Sequence, residues 1–286
     1  MKLNKFSKVL YTIASLCCLC VGSGNAIKQE ILDARKNVSD AQMPQGCKQI
    51  ASGQYGAICT LVDDDSKLLK RLSTLSLRND KINEMDMATL LASKANVPRY
   101  LMKVYQVAKP NQDTMWYTFE KINGCSVKDY IKGIKTKKKG KIPWDVFCRD
   151  WAVGLFEGMK YVQDALGTQK IYNSFNKKDE DCFFVLGDRN SSNIMVRDDK
   201  TPVHIDYGFI NNFSISNNLK KPSENIIEIR DILLNILTNK GVKVPKVERD
   251  RRYQLKKYLK SIENMPMKID LLDNIIEDIK KITGII

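Results

Sequence analysis

The sequence predicts an α+β protein with two lobes: a small, β-rich amino-terminal lobe over about residues 45–120 and a mainly helical carboxyl-terminal lobe over about residues 121–286. Two runs in the first half, Tyr100–Val107 and Thr114–Lys121, are rich in β-branched and aromatic residues, which are typical of strands. Apolar residues recur at helical spacing from Trp144 to Leu166 and again after residue 224. The composition, 43% hydrophobic and 28% charged over 286 residues, is that of a folded protein.

The first 26 residues have the pattern of a secretory signal peptide. Lys2, Lys5 and Lys8 precede an apolar run from Val9 to Val21, and small residues follow up to Ala26. A basic start, a short apolar run and a small-residue cleavage site define this class of segment. We expect cleavage after Ala26 and a linker over residues 27–44; a buried helix or an uncleaved anchor are the alternatives.

The chain is basic, with 47 Lys and Arg against 33 Asp and Glu and a net charge of +14. Much of this charge lies in Lys132–Lys141. A run of like charges is most often a solvated loop, and the functional alternative is a patch that holds the protein at an anionic membrane surface. We expect no nucleic-acid partner.

The amino-terminal lobe begins with Gln49–Val62, which reads as two strands around a turn that contains Gly53, Gln54, Tyr55 and Gly56. Glycine lets a backbone approach a ligand closely, although an ordinary hairpin turn explains the pattern equally well. Lys67–Leu72 is the next predicted strand. Asn79–Ala95 is a predicted helix with Glu84 and Leu91 on one face.

The later elements follow in order. The second of the two strands named above continues into Ile122–Ile131, which predicts a connection and a short helix. A long core helix is expected over Trp144–Leu166, and an Asn- and Ser-rich segment follows Gly208. Three further helices complete the lobe, at Asn225–Leu237, Glu248–Ile262 and Lys268–Ile282.

The most informative stretch is residues 187–208. It reads Gly-Asp188-Arg-Asn-Ser-Ser-Asn193-Ile-Met-Val, then a polar turn, then Val-His204-Ile-Asp206-Tyr-Gly. Two apolar runs around a polar turn predict a hairpin that brings Asn193 and Asp206 to the same end. Carboxylate and amide oxygens are ligands that Mg²⁺ accepts, and phosphoryl transfer also needs a carboxylate beside the acceptor hydroxyl. The alternative is a hairpin with acidic edges and no activity.

These residues resemble the phosphatidylinositol 3-/4-kinase signature, Gly-Asp-Arg-His-x-x-Asn-Ile-Met followed by His-Ile-Asp-Phe-Gly. They also resemble the Asp-x-x-x-x-Asn and Asp-Phe-Gly elements of protein kinases. The sequence departs from the lipid-kinase signature at Asn190 and Tyr207, and Leu186-Gly187-Asp188 replaces the protein-kinase His-Arg-Asp. The chain therefore resembles the protein-kinase-like superfamily over residues 45–286, and is similar in economy to the minimal atypical kinases that bacteria export into host cells.

The resemblance implies a role for each matching residue. Asp188 would be the catalytic base, and Asn193 and Asp206 would bind Mg²⁺, with Mn²⁺ as the alternative metal. Lys70, with Lys67 as second choice, would contact the ATP phosphates and pair with Glu84. The residues Gly53, Gln54, Tyr55 and Gly56 would cover the phosphates, and the backbone from Glu120 to Ile122 would bind adenine.

The resemblance extends to less central features. Asp231 would hydrogen-bond the backbone of the catalytic loop. Independently of the resemblance, the position of His204 in a predicted strand two residues before Asp206 favours a structural role over that of a general base. The activation segment after Gly208 is about half the usual length and lacks the Ala-Pro-Glu motif, which implies a reduced platform for a peptide substrate.

The first functional expectation is an exported bacterial Ser/Thr protein kinase that uses ATP on a host protein. The basic segment and the Gly-Asp-Arg motif favour a lipid kinase acting on an anionic phosphoinositide as the alternative. A third interpretation is a pseudokinase-like binding module, which would bind a nucleotide or a partner without phosphate transfer.

Overall fold

The computed structural model describes residues 38–53, 56–72, 84–109, 115–136, 138–173, 177–216 and 219–285. The predicted signal peptide, most of the predicted linker, Gln54, Tyr55 and the start of the predicted helix 79–95 lie outside these residues. The fold is mixed α+β, with strands concentrated in the amino-terminal region and helices in the carboxyl-terminal region. No helix in the described parts of the chain is long and apolar enough to cross a membrane.

The amino-terminal region is built on one antiparallel sheet of five strands in the order β1-β2-β3-β5-β4. Helix α1 (Glu84–Ser93) packs beside it, and its strands are β1 (Lys48–Gly53), β2 (Gly56–Thr60), β3 (Lys67–Leu72), β4 (Val104–Ala108) and β5 (Met115–Glu120). Ile58, Lys70 and Tyr117 are direct neighbours across β2, β3 and β5 and therefore share one face. Leu69, Ala108 and Trp116 form a small core on the other face.

The predicted strand 100–107 starts later than expected, at Val104. The preceding residues pair with the carboxyl-terminal region instead, because the Met102 N–H donates to the His204 carbonyl and the His204 N–H donates to the Tyr100 carbonyl. This pairing joins the five-stranded sheet to the segment that contains Asp206.

The carboxyl-terminal region has a core formed mainly by helices. The predicted helix 144–166 is continuous, with α3 (Trp144–Val146) and α4 (Gly154–Leu166) separated by a π-helical stretch, Phe147–Val153. The other helices are α2 (Val127–Lys135), α5 (Glu224–Thr238), α6 (Arg249–Ser261) and α7 (Leu271–Thr283). The last three correspond closely to the predicted helices.

Three small sheets complete the fold. Strands β6 (Gly124–Ser126), β10 (Ile194–Arg197) and β11 (Pro202–His204) form one, and β8 (Gln169–Asn173), β9 (Lys178–Leu186) and β12 (Ile210–Ser214) form the second. Strands β7 (Ile142–Pro143) and β13 (Val242–Lys243) form the third.

Strand β12 lies in the Asn- and Ser-rich segment after Gly208, for which the sequence analysis assigned no strand. All five of its residues pair with β9, and this pairing outweighs the low strand propensity of asparagine and serine.

Candidate active site

Strands β10 and β11 form the predicted hairpin, with Ile194 opposite His204 and Val196 opposite Pro202. The Ile205 N–H donates to the Asn193 carbonyl at 3.0 Å and extends the pairing past the strand ends. Asn193 and Asp206 therefore lie at the same end of the hairpin, next to the loop 187–193.

The loop 187–193 fixes the carboxylate of Asp188 from two sides. The Asn193 amide donates to Oδ2 of Asp188 at 2.8 Å and to its backbone carbonyl at 2.9 Å. The Asn190 amide donates to the other carboxylate oxygen at 2.6 Å. Asn190 is the position at which the sequence departs from the lipid-kinase signature, and here it orients the predicted base.

Asp188 and Asp206 both adopt left-handed backbone conformations, with φ of 48° and 60°. Aspartate tolerates this region better than most residues because its short polar side chain can bond locally. The Gly208 N–H provides such a bond, since it donates to Oδ1 of Asp206 at 3.1 Å. The two carboxylates are thus carried on tight, non-helical bends rather than on regular strands.

Arg189 joins these two bends, a role that the sequence analysis missed. Its side chain is fully buried, and its guanidinium donates to the carbonyls of Gly187 at 2.5 Å, Ile205 at 3.0 Å and Asp206 at 2.6 Å. Burial lowers the pKa of Arg189 to about 10, so it remains a cation at neutral pH. A planar group with five donors can bond three carbonyls at once.

Lys70 lies in an ion-pair cluster with the two carboxylates that the sequence assigned to it. Its Nζ is 2.5 Å from Oε1 of Glu84 and 3.5 Å from Oδ1 of Asp206. The Tyr117 hydroxyl also donates to Oε1 of Glu84, at 2.6 Å. Burial raises the pKa of Glu84 despite the attraction of Lys70.

Lys67, the second choice for the same role, lies elsewhere. Its Nζ pairs with Asp64 at 2.8 Å and lies 4.9 Å from the centre of the Tyr105 ring. The geometry therefore separates the two lysines, because only Lys70 is within 4 Å of Asp206.

The predicted adenine-binding segment is partly occupied by internal contacts. The Glu120 N–H donates to the Lys103 carbonyl, and the Glu120 carboxylate forms a bidentate pair with Arg197 at 2.8 and 2.9 Å. The Lys121 N–H donates to the Ser66 carbonyl. In the described chain the Ile122 N–H has no acceptor, so it is the backbone donor in this segment that can bind a ligand.

The two predicted glycines close the β1–β2 hairpin opposite one another. Gly56 has φ of 148°, and a Cβ atom there would lie 2.1 Å from the Arg71 carbonyl oxygen. Glycine is therefore required at position 56 by its backbone conformation and by the close approach of β3. Gln54 and Tyr55, between the glycines, lie outside the described residues.

The structure corrects the role predicted for Asp231. Its side chain is 61% exposed and pairs with its neighbour Arg230 at 2.9 Å. Glu228, one turn earlier on α5, instead accepts a hydrogen bond from the backbone N–H of Arg189. Of these two carboxylates, Glu228 is the one that faces the loop 187–193, so it anchors the loop that contains Asp188.

His204 is buried and structural in its contacts, as expected. Its Nε2 bonds to the Leu155 carbonyl at 2.8 Å. Burial and the nearby Arg189 lower the pKa of His204 to about 3, which keeps it neutral at physiological pH.

The oxygen atoms at this end of the hairpin are suited to bind a hard cation such as Mg²⁺. Asp206 has a partly exposed carboxylate, and Asn193 Oδ1 accepts no hydrogen bond from the described residues. Both are oxygen donors of the type that Mg²⁺ binds, usually together with water and phosphate oxygens. Within the described ranges no group of three or more His, Cys, Asp or Glu side chains is placed to hold a metal ion.

No family model matches the chain, and no curated protein is significantly similar to it.

Proposed function

We propose that the chain is an ATP-dependent phosphotransferase with a two-lobed, protein-kinase-like fold, and that it transfers phosphate to a hydroxyl group of a protein. One observation carries the proposal: Lys70 Nζ lies between Glu84 and Asp206, at 2.5 and 3.5 Å. A buried cation oriented by one carboxylate and adjacent to a second is suited to phosphates bound together with Mg²⁺.

For each part of the nucleotide, the chain has a residue that would bind it. Lys70 would contact the phosphates, Asn193 and Asp206 would hold Mg²⁺ or Mn²⁺, and the Ile122 N–H would bind adenine. The β1–β2 hairpin at Gly53 and Gly56, with Gln54 and Tyr55, would cover the phosphates. Bound Mg²⁺ neutralises the negative charge that accumulates on the phosphate oxygens during transfer.

The chain's own residues position the acceptor. Asp188 accepts the proton of the acceptor hydroxyl while that oxygen forms its bond to phosphorus and the bond to the leaving ADP oxygen breaks. The amides of Asn190 and Asn193 hold the Asp188 carboxylate in one orientation. Arg189 fixes the distance between the bends at 188 and 206, and Glu228 anchors the loop from the other side.

A lipid kinase is the second candidate function, and a specific surface favours it. Lys132, Lys135, Lys138, Lys139 and Lys141 are exposed, and no acidic residue occurs from 130 to 144. Helix α2, which leads into this basic surface, contacts the catalytic loop because the Lys128 N–H donates to the Ser191 carbonyl at 2.9 Å. A surface of this kind would hold the site near anionic lipid.

We also propose that the chain is exported and acts inside a host cell, where ATP is present. This rests on residues 1–26 of the sequence. Expression of the full chain in a secreting bacterium tests it: the extracellular protein should begin at residue 27, and retention of the intact amino terminus in the cell would contradict export.

The experiment that tests the function presents both acceptor classes together. Purified protein is incubated with γ-labelled ATP and Mg²⁺, in parallel with a host-cell protein lysate and with phosphoinositide vesicles, and Asp206→Ala serves as the control. Label on proteins that disappears in the variant supports the first proposal. Label only in lipid supports the second, and nucleotide binding without transfer to either supports a pseudokinase-like module.

A further inference from the structure

A charged cavity lies beside the catalytic loop, at the start of helix α5. Its volume is about 650 Å³. It is lined by Lys221, Pro222, Glu224, Ile227, Glu228, Arg230, Glu263 and Asn264. None of these residues was assigned to ATP or Mg²⁺ above, so the cavity is separate from the proposed nucleotide site.

Glu228 connects the cavity to the predicted base. It lines the cavity and also accepts a hydrogen bond from the Arg189 N–H, one residue after Asp188. The charge of Asp188 contributes to the raised pKa of Glu228, so the two carboxylates are close enough to repel each other. A group in the cavity would therefore lie next to the acceptor hydroxyl at Asp188.

The charges around the cavity do not balance. Arg230 is already paired with Asp231 at 2.9 Å and with Glu263 at 2.8 Å. Lys221 is then the one cation of the lining left to face Glu224 and Glu228, and the buried Arg189 also acts on Glu228 from behind the cavity. The cavity is thus locally acidic in a chain whose net charge is +14, which favours a cationic occupant over an anionic one.

Unsatisfied polar groups occur in the segment of the chain that forms this side of the cavity. Three buried side-chain atoms of the described residues that lack a hydrogen-bond partner lie between residues 223 and 228. They include Oε2 of the cavity-lining Glu228, together with Ser223 Oγ and Asn225 Nδ2 from side chains that are more than nine-tenths buried. Ser223 is the N-cap residue of α5, yet its hydroxyl makes no capping bond. An unpaired buried acceptor such as Oε2 is unfavourable, and a donor from a ligand would satisfy it.

We propose that this cavity binds a lysine or arginine side chain of the acceptor protein, close in sequence to the serine or threonine that receives the phosphate. The inference rests on the proposed function and specifies its substrate class. A cationic side chain would donate to Glu228 and Glu224 and would offset the repulsion between Glu228 and Asp188. A phosphoinositide headgroup in the same place would meet the carboxylates of Glu224 and Glu228, which opposes its binding.

The test uses the full protein and a set of alanine-rich peptides with one serine, in which each flanking position is arginine, alanine or glutamate in turn. We expect kcat/KM to be about ten-fold higher with arginine than with alanine at one or two positions, because a charge-assisted hydrogen bond contributes a factor of about this size. Glu224→Gln should reduce this preference to less than about three-fold. Glu224 is exposed and was given no part in the nucleotide site, so activity on the alanine peptide should be unchanged.

Glu277→Gln, an exposed glutamate on α7 outside the cavity lining, is the matched control and should keep the preference. Glu224→Lys should reverse the preference towards glutamate peptides. Equal kcat/KM for arginine and alanine peptides in an active wild-type protein would overturn this inference but not the proposed protein kinase activity. Transfer to phosphoinositide vesicles but to no peptide or protein would overturn both this inference and the proposed protein kinase activity.

Discussion

The Lys70–Glu84 pair can be tested with a substitution that changes charge but hardly any shape. Glu84→Gln keeps the side-chain volume and leaves Lys70 with Asp206 as its remaining carboxylate neighbour, at 3.5 Å. If the pair serves to orient Lys70 towards phosphate, its loss should lower activity. If the pair serves only to stabilise the fold, its loss should lower stability instead.

The structure gives a magnitude for each effect. Removing the 2.5 Å bond to Glu84 eliminates one charge-assisted hydrogen bond, worth about 1.5–3 kcal/mol, or roughly 10- to 150-fold in kcat/KM. The stability effect follows from the raised pKa of Glu84, which burial causes. Because the folded pKa lies above the unfolded one, the favourable contribution of this group is present at low pH and is lost as pH rises through the folded pKa. A neutral glutamine removes this pH-dependent cost, and Lys70 keeps Asp206 as a carboxylate neighbour at 3.5 Å, so we expect little change in stability.

The assay combines two measurements on the same preparations: initial rates of phosphate transfer and urea unfolding followed by tryptophan fluorescence. We expect Glu84→Gln to lose activity by the factor above with an unfolding free energy within about 1 kcal/mol of wild type. Asp64→Asn, which removes the Lys67 partner on the surface, is the matched control and should leave activity unchanged. Wild-type activity in Glu84→Gln, or destabilisation by more than about 3 kcal/mol, would refute the functional role.

Three further predictions concern the surroundings of this pair. Tyr117→Phe removes the 2.6 Å bond to Glu84 and should lower kcat/KM by about two- to ten-fold in the same transfer assay; an unchanged value would remove Tyr117 from the site. The pKa of His204 falls from 6.5 to about 3 on folding, so urea unfolding should show stability decreasing by up to about 1.4 kcal/mol per pH unit below 6.5, and His204→Gln should flatten this slope. Glu228→Ala should lower kcat while Asp231→Asn should not, and the reverse order in steady-state kinetics would contradict the anchor assignment.

Short sequence patterns predicted the hairpins that position the candidate active site. Glycines at positions 53 and 56 indicated the β1–β2 turn, and the polar residues 197–200 indicated the β10–β11 hairpin. The lysine of β3 and the glutamate of α1 were assigned to one another from the resemblance, and they lie 2.5 Å apart in the structure. These predictions succeed because each depends on residues that are close in sequence or on one pairing.

The residues that the sequence did not reveal act across the fold. Arg189 bonds carbonyls 16 and 17 residues away, and Tyr117 bonds a carboxylate 33 residues away. No local pattern marks such contacts, because they depend on how separate elements pack. The assignment of the loop contact to Asp231 failed for a related reason: Asp231 and Glu228 both lie on α5, and only the packing of that helix decides which carboxylate faces the loop.

Magnesium-dependent binding of ATP tests the central claim most directly, because it needs no knowledge of the acceptor. Isothermal titration calorimetry would compare the wild-type protein and Asp206→Ala, each with Mg²⁺ and with EDTA. We expect the wild-type protein to bind ATP at least about ten-fold more tightly with Mg²⁺, and the variant to lose this difference. Equal affinity with and without Mg²⁺ in the wild-type protein, or an undiminished magnesium effect in Asp206→Ala, would contradict the account.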